Sequence, residues 1–271
     1  RAFGDAIARG QVCANAAVIA LLLDATLADE RQQREGALQC LVPLDVTEYE
    51  FLAPVWLAIH DADGECARLA QRVWDENGLD VPADFSDALV PLLGHTLAYV
   101  RTTAAQALAS AAEVRPEEAS RTCEQLLAMY HENNRDMSPQ YDEYGMVIEA
   151  TLNREDPWWT RVAVADALGR VAPHISELTG LLAFFLGEPA AVADRDERVR
   201  RAMVDATSAA VDSHGAEVHV VIDKLEACLG HSNDVLTEAA VVLLGRAARH
   251  LDGRDGHVRR VVQRLLDALR T

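Results

Sequence analysis

Asp156-Pro-Trp-Trp-Thr-Arg-Val-Ala-Val-Ala-Asp-Ala-Leu-Gly-Arg-Val-Ala-Pro-His-Ile175 decides the reading of this chain. It opens on an acid able to cap a helix and a proline suited to the first helical position. Ala165, Leu168, Val171 and Ala172 then fall on one face at helical spacing. Ala163 and Ala167 flank that face and are small enough for a neighbouring helix to come close. Pro173 ends the run. The stretch is predicted to be the second helix of a helical hairpin.

Other segments share its pattern when aligned on Arg161. Those starting at Arg101 and Arg200 match well, the one starting at Thr237 repeats Leu-Gly-Arg and a closing His, and weaker copies start at Ala67 and Arg34. The anchors are 33, 34, 60, 39 and 37 residues apart. All but one spacing lie near the period of HEAT or armadillo helical repeats. The exception holds roughly 20 extra residues, assigned to an insertion over 131–155. Asp63, Asp156, Asp196 and Asp234 precede second helices and are expected to cap them. A lone hairpin cannot bury its apolar face, so each must stack on the next. The expected fold is all-α, a single HEAT/armadillo-type array of about six or seven hairpins over residues 1–271.

The composition agrees. Half of the 271 residues are apolar but only 5% aromatic, which favours close helix packing. No run reaches the length of a membrane span, and no secretory leader is recognisable. The first residue is Arg1, so the chain is expected to be a piece of a longer, cytoplasmic protein. Cys13, Cys40, Cys66, Cys123 and Cys228 are scattered and odd in number, which reads as reduced core residues. The net charge of −18 argues against wholesale nucleic-acid binding. Residues 245–271 differ, with seven Arg against three Asp, while Lys occurs once, at Lys224.

Periodicity places helices over 11–27, 30–42, 47–60, 65–76, 85–95, 99–114, 117–132, 176–186, 198–211, 217–229, 235–250 and 257–270, with Trp56 and Trp74 in the core. Residues 133–140 and 187–196 read as loops, and 141–152 as an extra helix. In the last helix Val258, Val261, Val262, Leu265 and Leu269 share a face that should be buried, with Arg260, Arg264 and Arg270 largely off it.

No phosphate loop, dinucleotide fingerprint or nucleophile elbow is present, so no catalytic or cofactor-binding residue is assigned and no cofactor is expected. His214 and His219 have the wrong spacing for a zinc helix, and no metal is expected. His174, His214 and His250 close second helices, where an imidazole bonds free carbonyls. Of the adjacent Trp158 and Trp159, one is expected in the core and the other exposed as a binding aromatic. Arg259, Arg260, Arg264 and Arg270 are the candidate contacts to phosphates or carboxylates.

In several of these segments the chain resembles a known family, the very large HEAT-repeat translational activators of the general amino-acid control pathway. The resembling elements run in order: Val73-Trp74 with Gly78-Leu79-Asp80; Pro91-Leu92-Leu93-Gly94; Leu127-Ala128-Met129-Tyr130 followed by Pro139, Asp142 and Gly145; Trp158 and Arg161; Asp194-Arg195 with Val199-Arg200; His214-Gly215; and Leu244-Gly245, His250-Leu251 and Asp255. Thr237 departs from the family's Arg, and Arg replaces Lys throughout the last helix. The resemblance implies a non-catalytic scaffold that binds translating, stalled or collided ribosomes and promotes activation of the starvation stress kinase. It implies that 195–271 begins a region similar to fungal elongation factor three, associated with ribosomes and an ATP-binding-cassette coactivator. The kinase would bind elsewhere in the full-length protein, so no kinase contact is carried over.

Two other classes compete with that reading. An adaptor solenoid of the nuclear-transport or phosphatase-scaffold type would bind peptides on a concave acidic face. It has no use for a basic final helix, whereas ribosome contact does. An enzyme would place its site in the 131–155 insertion.

Overall fold

The computed structural model describes residues 15–49, 51–135, 144, 146, 155–215, 218–229, 231–251, 259–260, 262–263 and 266. Twelve α-helices occur among them, with no strand: α1 Ala16–Thr26, α2 Arg31–Leu41, α3 Ala53–Ile59, α4 Gly64–Glu76, α5 Phe85–Leu89, α6 Ala98–Val114, α7 Ala119–Asn133, α8 Trp158–Val171, α9 Leu178–Leu186, α10 Glu197–Ser213, α11 Val218–Cys228 and α12 Asp234–Ala247. Residues 259–260, 262–263 and 266 are helical as well. The fold is the expected all-α helical-repeat array. It divides into two compact units, Arg1–Thr122 and Cys123–Thr271.

In the first unit α1 packs on α2, α3 on α4 and α5 on α6, while α2–α4 and α3–α6 contacts join successive hairpins. Trp56 and Trp74 meet with ring centroids 4.8 Å apart. The Trp56 indole N–H donates to the Ala107 carbonyl at 3.0 Å, which ties α3 to α6. Leu38, Leu41, Phe85, Leu93 and Leu108 are fully buried beside them. Each such side chain contributes on the order of 1.5–3 kcal/mol by leaving water. In the second unit the second helices α8, α10 and α12 stack in sequence. The first helices stack too, with Tyr130 of α7 edge-on to Phe184 of α9 at 5.0 Å. The α8–α10 seam is tight: a Cβ on Gly169 would sit 3.1 Å from the Cα of Ala206. On α8 the predicted face of Ala165, Leu168, Val171 and Ala172 has no exposed surface.

Helix ends follow local chemistry. Asp63 caps α4 by accepting from the N–H groups of Glu65 and Cys66, and Asp196 caps α10 by accepting from that of Arg198. Gly78, at φ +59°, ends α4. There Leu79 N–H bonds Trp74 O and Gly78 N–H bonds Asp75 O, a Schellman end that needs the left-handed glycine. Two expected caps are corrected. Asn233, not Asp234, caps α12. Asp156 caps nothing, and Pro157 holds the cap position of α8, because guanidinium groups engage both Asp156 oxygens.

Three expected helices differ. The one over 47–60 begins only at Ala53, because Asp45 accepts from both the N–H and the hydroxyl of Thr47, a local turn that competes with helix. The one over 85–95 changes to a 3₁₀ turn over Val90–Gly94, where Pro91 has no N–H for the α pattern. In the last helix Val262, one member of the stripe expected to be buried, is 49% exposed. Arg260 reaches Asp223 and Glu226 of α11, and Val262, about 200° further round, then faces away. The helix expected over 141–152 lies outside the described residues except Tyr144 and Met146, as do Val258, Val261, Leu265 and Leu269.

Cys40, Cys66, Cys123 and Cys228 are free and buried, and Cys13 is outside the described residues. No described helix is long and apolar enough to cross a membrane.

Candidate functional site

Three of the anchor arginines, Arg34, Arg101 and Arg200, do one job. Each lies in the first turn or so of a second helix and reaches back to the turn before it. The Arg34 Nη1 donates to the carbonyls of Ala28 and Asp29 at 3.1 and 2.7 Å. Arg101 reaches those of His95 and Thr96 at 2.7 and 2.8 Å, and Arg200 those of Asp194 and Arg195 at 3.0 and 3.2 Å. At each of these three positions a guanidinium supplies a donor to the turn carbonyls six and five residues back. Thr237 takes over this role with its hydroxyl, 3.4 Å from the His231 carbonyl and 3.3 Å from that of Asn233.

Arg161 is the fullest case. Its side chain is completely buried, as is that of Asp194. Nε and Nη2 donate to the two Asp194 oxygens at 2.9 and 3.0 Å. Nη1 and Nη2 reach the two Asp156 oxygens at 2.5 and 3.2 Å, and Nη1 also reaches the Asn133 carbonyl at 3.0 Å. Every N–H of the guanidinium therefore has an acceptor. The Tyr130 hydroxyl donates to Asp194 at 2.8 Å, and so does the Asp196 N–H. Arg195 grips Asp156 from outside and donates to the Arg135 carbonyl at 2.9 Å. Residues at the two ends of the 131–155 insertion, Asn133 and Arg135 near its start and Asp156 just past its end, thus meet on two arginines.

The first unit carries the same chemistry. Arg34 binds Asp61 through Nε and Nη2 at 2.7 and 3.2 Å. The Tyr99 hydroxyl donates to Asp61 at 3.0 Å, and the guanidinium lies 4.1 Å from the Tyr99 ring centroid. Asp61 accepts from the Asp63 N–H as Asp194 does from Asp196. The sequence reading used the arginines only as alignment marks. An Asp-x-Asp six residues before an anchor, at Asp61 and at Asp194, was the signal for the carboxylates.

Electrostatics follow from this geometry. Burial pushes the Asp156 carboxyl up, but hydrogen bonds from Arg161 and Arg195 outweigh it and hold the group well below the usual carboxylate range. Burial and the adjacent Asp194 carboxylate push the Tyr130 phenol far above its ordinary value. The Arg198 hydrogen bond holds Asp196 down to about 2. Since the folded value of Asp156 lies below the unfolded one, its contribution is complete above about pH 4 and lost as pH falls through the folded value. Asp156→Asn is therefore expected to flatten the fall in stability below about pH 4. Urea midpoints measured across that range check it, and an acid limb identical to the parent's refutes it.

The sequence-predicted site residues are dispersed. Trp158 and Trp159 are both half-buried, so neither is the core residue nor the exposed aromatic expected. They pack edge to face at 5.9 Å. Arg198 lies 3.3 Å from the Trp158 ring centroid and covers that face. Arg260 is bound to Asp223 at 2.5 Å and Glu226 at 3.0 Å. Arg246 binds Asp205 at 2.7 Å, and Arg249 binds Asp212. These guanidiniums bridge to acids of the preceding hairpin, which holds hairpins together and uses up positive charge. Arg259 is exposed, and Arg264 and Arg270 lie outside the described residues.

Both ring nitrogens of His214 face carbonyls, of Ala210 at 3.0 Å and Ile175 at 2.8 Å, which is the helix-end role expected of it. His250 instead binds the Asp212 carboxylate at 2.7 Å, because α10 presents that acid beside it. No group of three His, Cys, Asp or Glu among the described residues is placed to hold a metal ion.

Residues 44–249 match the family described as "Stalled ribosome sensor GCN1, HEAT repeats". The human stalled ribosome sensor GCN1 is 32% identical over 228 residues, which is 81% of this chain and 8% of that protein. The eIF-2-alpha kinase activator GCN1 of Saccharomyces cerevisiae is 28% identical over 80% of this chain and 8% of its own length. Protein ILITYHIA of Arabidopsis thaliana is 28% identical over 86% of this chain and 8% of its length. The chain thus spans about a twelfth of the curated relatives it matches. It belongs to the GCN1 HEAT-repeat family.

Proposed function

We propose that this chain is a non-catalytic scaffold segment of a cytoplasmic, ribosome-associated translational regulator that promotes activation of the initiation-factor-two stress kinase. The family match over 44–249 carries the reading. In support, its human and yeast relatives are a stalled ribosome sensor and an eIF-2-alpha kinase activator. Within each unit a buried Arg–Asp pair ties one hairpin to the next, and the described polar clusters are engaged in holding turns and not in aiming groups at a substrate. The ATP-binding-cassette coactivator belongs to the same proposal, with the kinase engaged elsewhere in the full-length protein. So does the assignment of 195–271 to the start of an elongation-factor-three-like region.

Ribosome contact by this segment would run through the last helix. Three arginines near it already neutralise acids, which leaves Arg259, Arg264 and Arg270 as the candidate phosphate contacts. Elsewhere the acidic surface repels RNA that comes within the screening length of about 8 Å at physiological salt. Reversing these three to Glu in the full-length protein is expected to weaken ribosome co-sedimentation and to reduce its salt dependence, because each lost phosphate contact lowers the salt slope by roughly one. Sedimentation equal to the parent's at two salt concentrations would make the segment a spacer only.

A further inference from the structure

Lys224 is the chain's sole lysine. It is half-buried on α11 and forms no ion pair with any described residue. Its neighbours one turn away on the helix are Val220, Val221, Ala227 and Cys228, none of them acidic. The acids beside it in sequence, Asp223 and Glu226, are both held by Arg260. The ammonium is also near enough to Cys228 to work against the burial that raises that thiol. This contrasts with the arginines around it, which bridge to carboxylates.

Lys224 stands at the edge of a trench of about 350 Å³ between α9 and α11. Leu186 and Leu236 line it, and two exposed alanines, Ala183 and Ala227, stand on its two helices. Side chains this small leave the space open. Where Gly187 ends α9, Glu188 crosses to His231 at 2.8 Å, so that carboxylate is already engaged. Val220, one turn before Lys224, is 47% exposed and extends the apolar strip along α11. The volume is at the small end for a ligand pocket and suits one or two side chains.

We propose that this trench docks a segment of a partner protein that presents an aliphatic side chain beside a carboxylate. The aliphatic group enters between Ala183 and Ala227, and the carboxylate pairs with Lys224. Charge complementarity selects this occupant: the rim offers a cation with no acid partner among the described residues, and its one nearby acid is bound to His231. The net charge of −18 does not forbid an acidic segment, because screening confines electrostatic selection to groups within about 8 Å. The contact is led by the apolar anchor, with the ion pair choosing the partner.

The test uses three helical host peptides: one with Leu and a Glu four residues on, one with Leu and a Lys, and one with Ala and Glu. Methyl NMR of Leu186 and Leu236 reports occupancy. The Leu/Glu peptide is expected to shift these methyls, with the other two at least tenfold weaker. Lys224→Glu should invert the preference toward the Leu/Lys peptide. Ala227→Trp, at an exposed position, should fill the trench and abolish binding of both, with thermal unfolding unchanged. Equal binding of the Leu/Glu and Leu/Lys peptides, or no effect of Lys224→Glu, would overturn the proposal. So would methyl shifts that follow protein concentration without peptide, since a second copy would then be the occupant.

Discussion

Arg161→Met is expected to lower the unfolding midpoint of the unit that carries it by roughly 10 °C or more. Methionine keeps much of the length and apolar volume of the stem, so the loss comes from the charge and its hydrogen bonds. Asp194, whose side chain has no exposure, would keep only the Tyr130 hydroxyl and the Asp196 N–H as donors. Its negative charge would remain in a site from which water is excluded. Removing one partner of such a pair costs about 3–5 kcal/mol, since the remaining charge is uncompensated. For a unit of this size each kcal/mol moves the midpoint by roughly 2–4 °C. Adding Asp194→Asn should recover part of the loss, because a neutral amide no longer needs a counter-ion. A shift below about 3 °C for the single variant would show that the network does not hold the hairpins in register. Arg34→Met should act in the same way on the first unit through Asp61, which is also fully buried as a side chain.

The repeat was legible because every hairpin must solve the same two problems. It has to bury one stripe of each helix, and it has to satisfy the carbonyls of the turn between them. Alanine and leucine periodicity exposed the first, which is why α8, α10 and α12 were placed nearly to the residue. The second was visible only as a recurring Arg, whose partners lie in the turn before it or 27 and 33 residues ahead, at Asp61 and Asp194. No local pattern shows that Tyr99 follows its aspartate in sequence while Tyr130 precedes the equivalent one. Both hydroxyls arrive by packing, from different positions in the array. In the last helix Val262 was misplaced for a related reason: Arg260 is anchored by two acids of α11. Which face turns inward depends on that neighbour as much as on the helix's own sequence. Asp156 shows the same limit: acid plus proline signals a helix start, yet Arg161 and Arg195 take both carboxylate oxygens.

Ala167→Asp should be the most damaging single change on α8. Ala167 has no exposed surface. Gly169, which meets Ala206 of α10, lies about 200° round the helix from it, so Ala167 points to the opposite, interior side of α8. A carboxylate placed at 167 meets no arranged donor, since the guanidinium of Arg161 is fully engaged with Asp156, Asp194 and Asn133. The group would take up a proton before remaining charged there, and even the neutral acid costs a few kcal/mol without a hydrogen-bond partner. Extra volume in a close-packed seam adds about 1–3 kcal/mol. The two effects together exceed about 4 kcal/mol, the range in which a domain of ordinary stability loses most of its folded population. Asp166→Ala, one residue away, is the control. Its carboxylate pairs with Arg170 at the surface, both side chains 39% exposed, and such a pair contributes at most about 0.5 kcal/mol. Thermal unfolding followed by circular dichroism should therefore separate neighbouring positions sharply. If Ala167→Asp moves the midpoint by less than about 2 °C, that side of α8 does not face a packed neighbour.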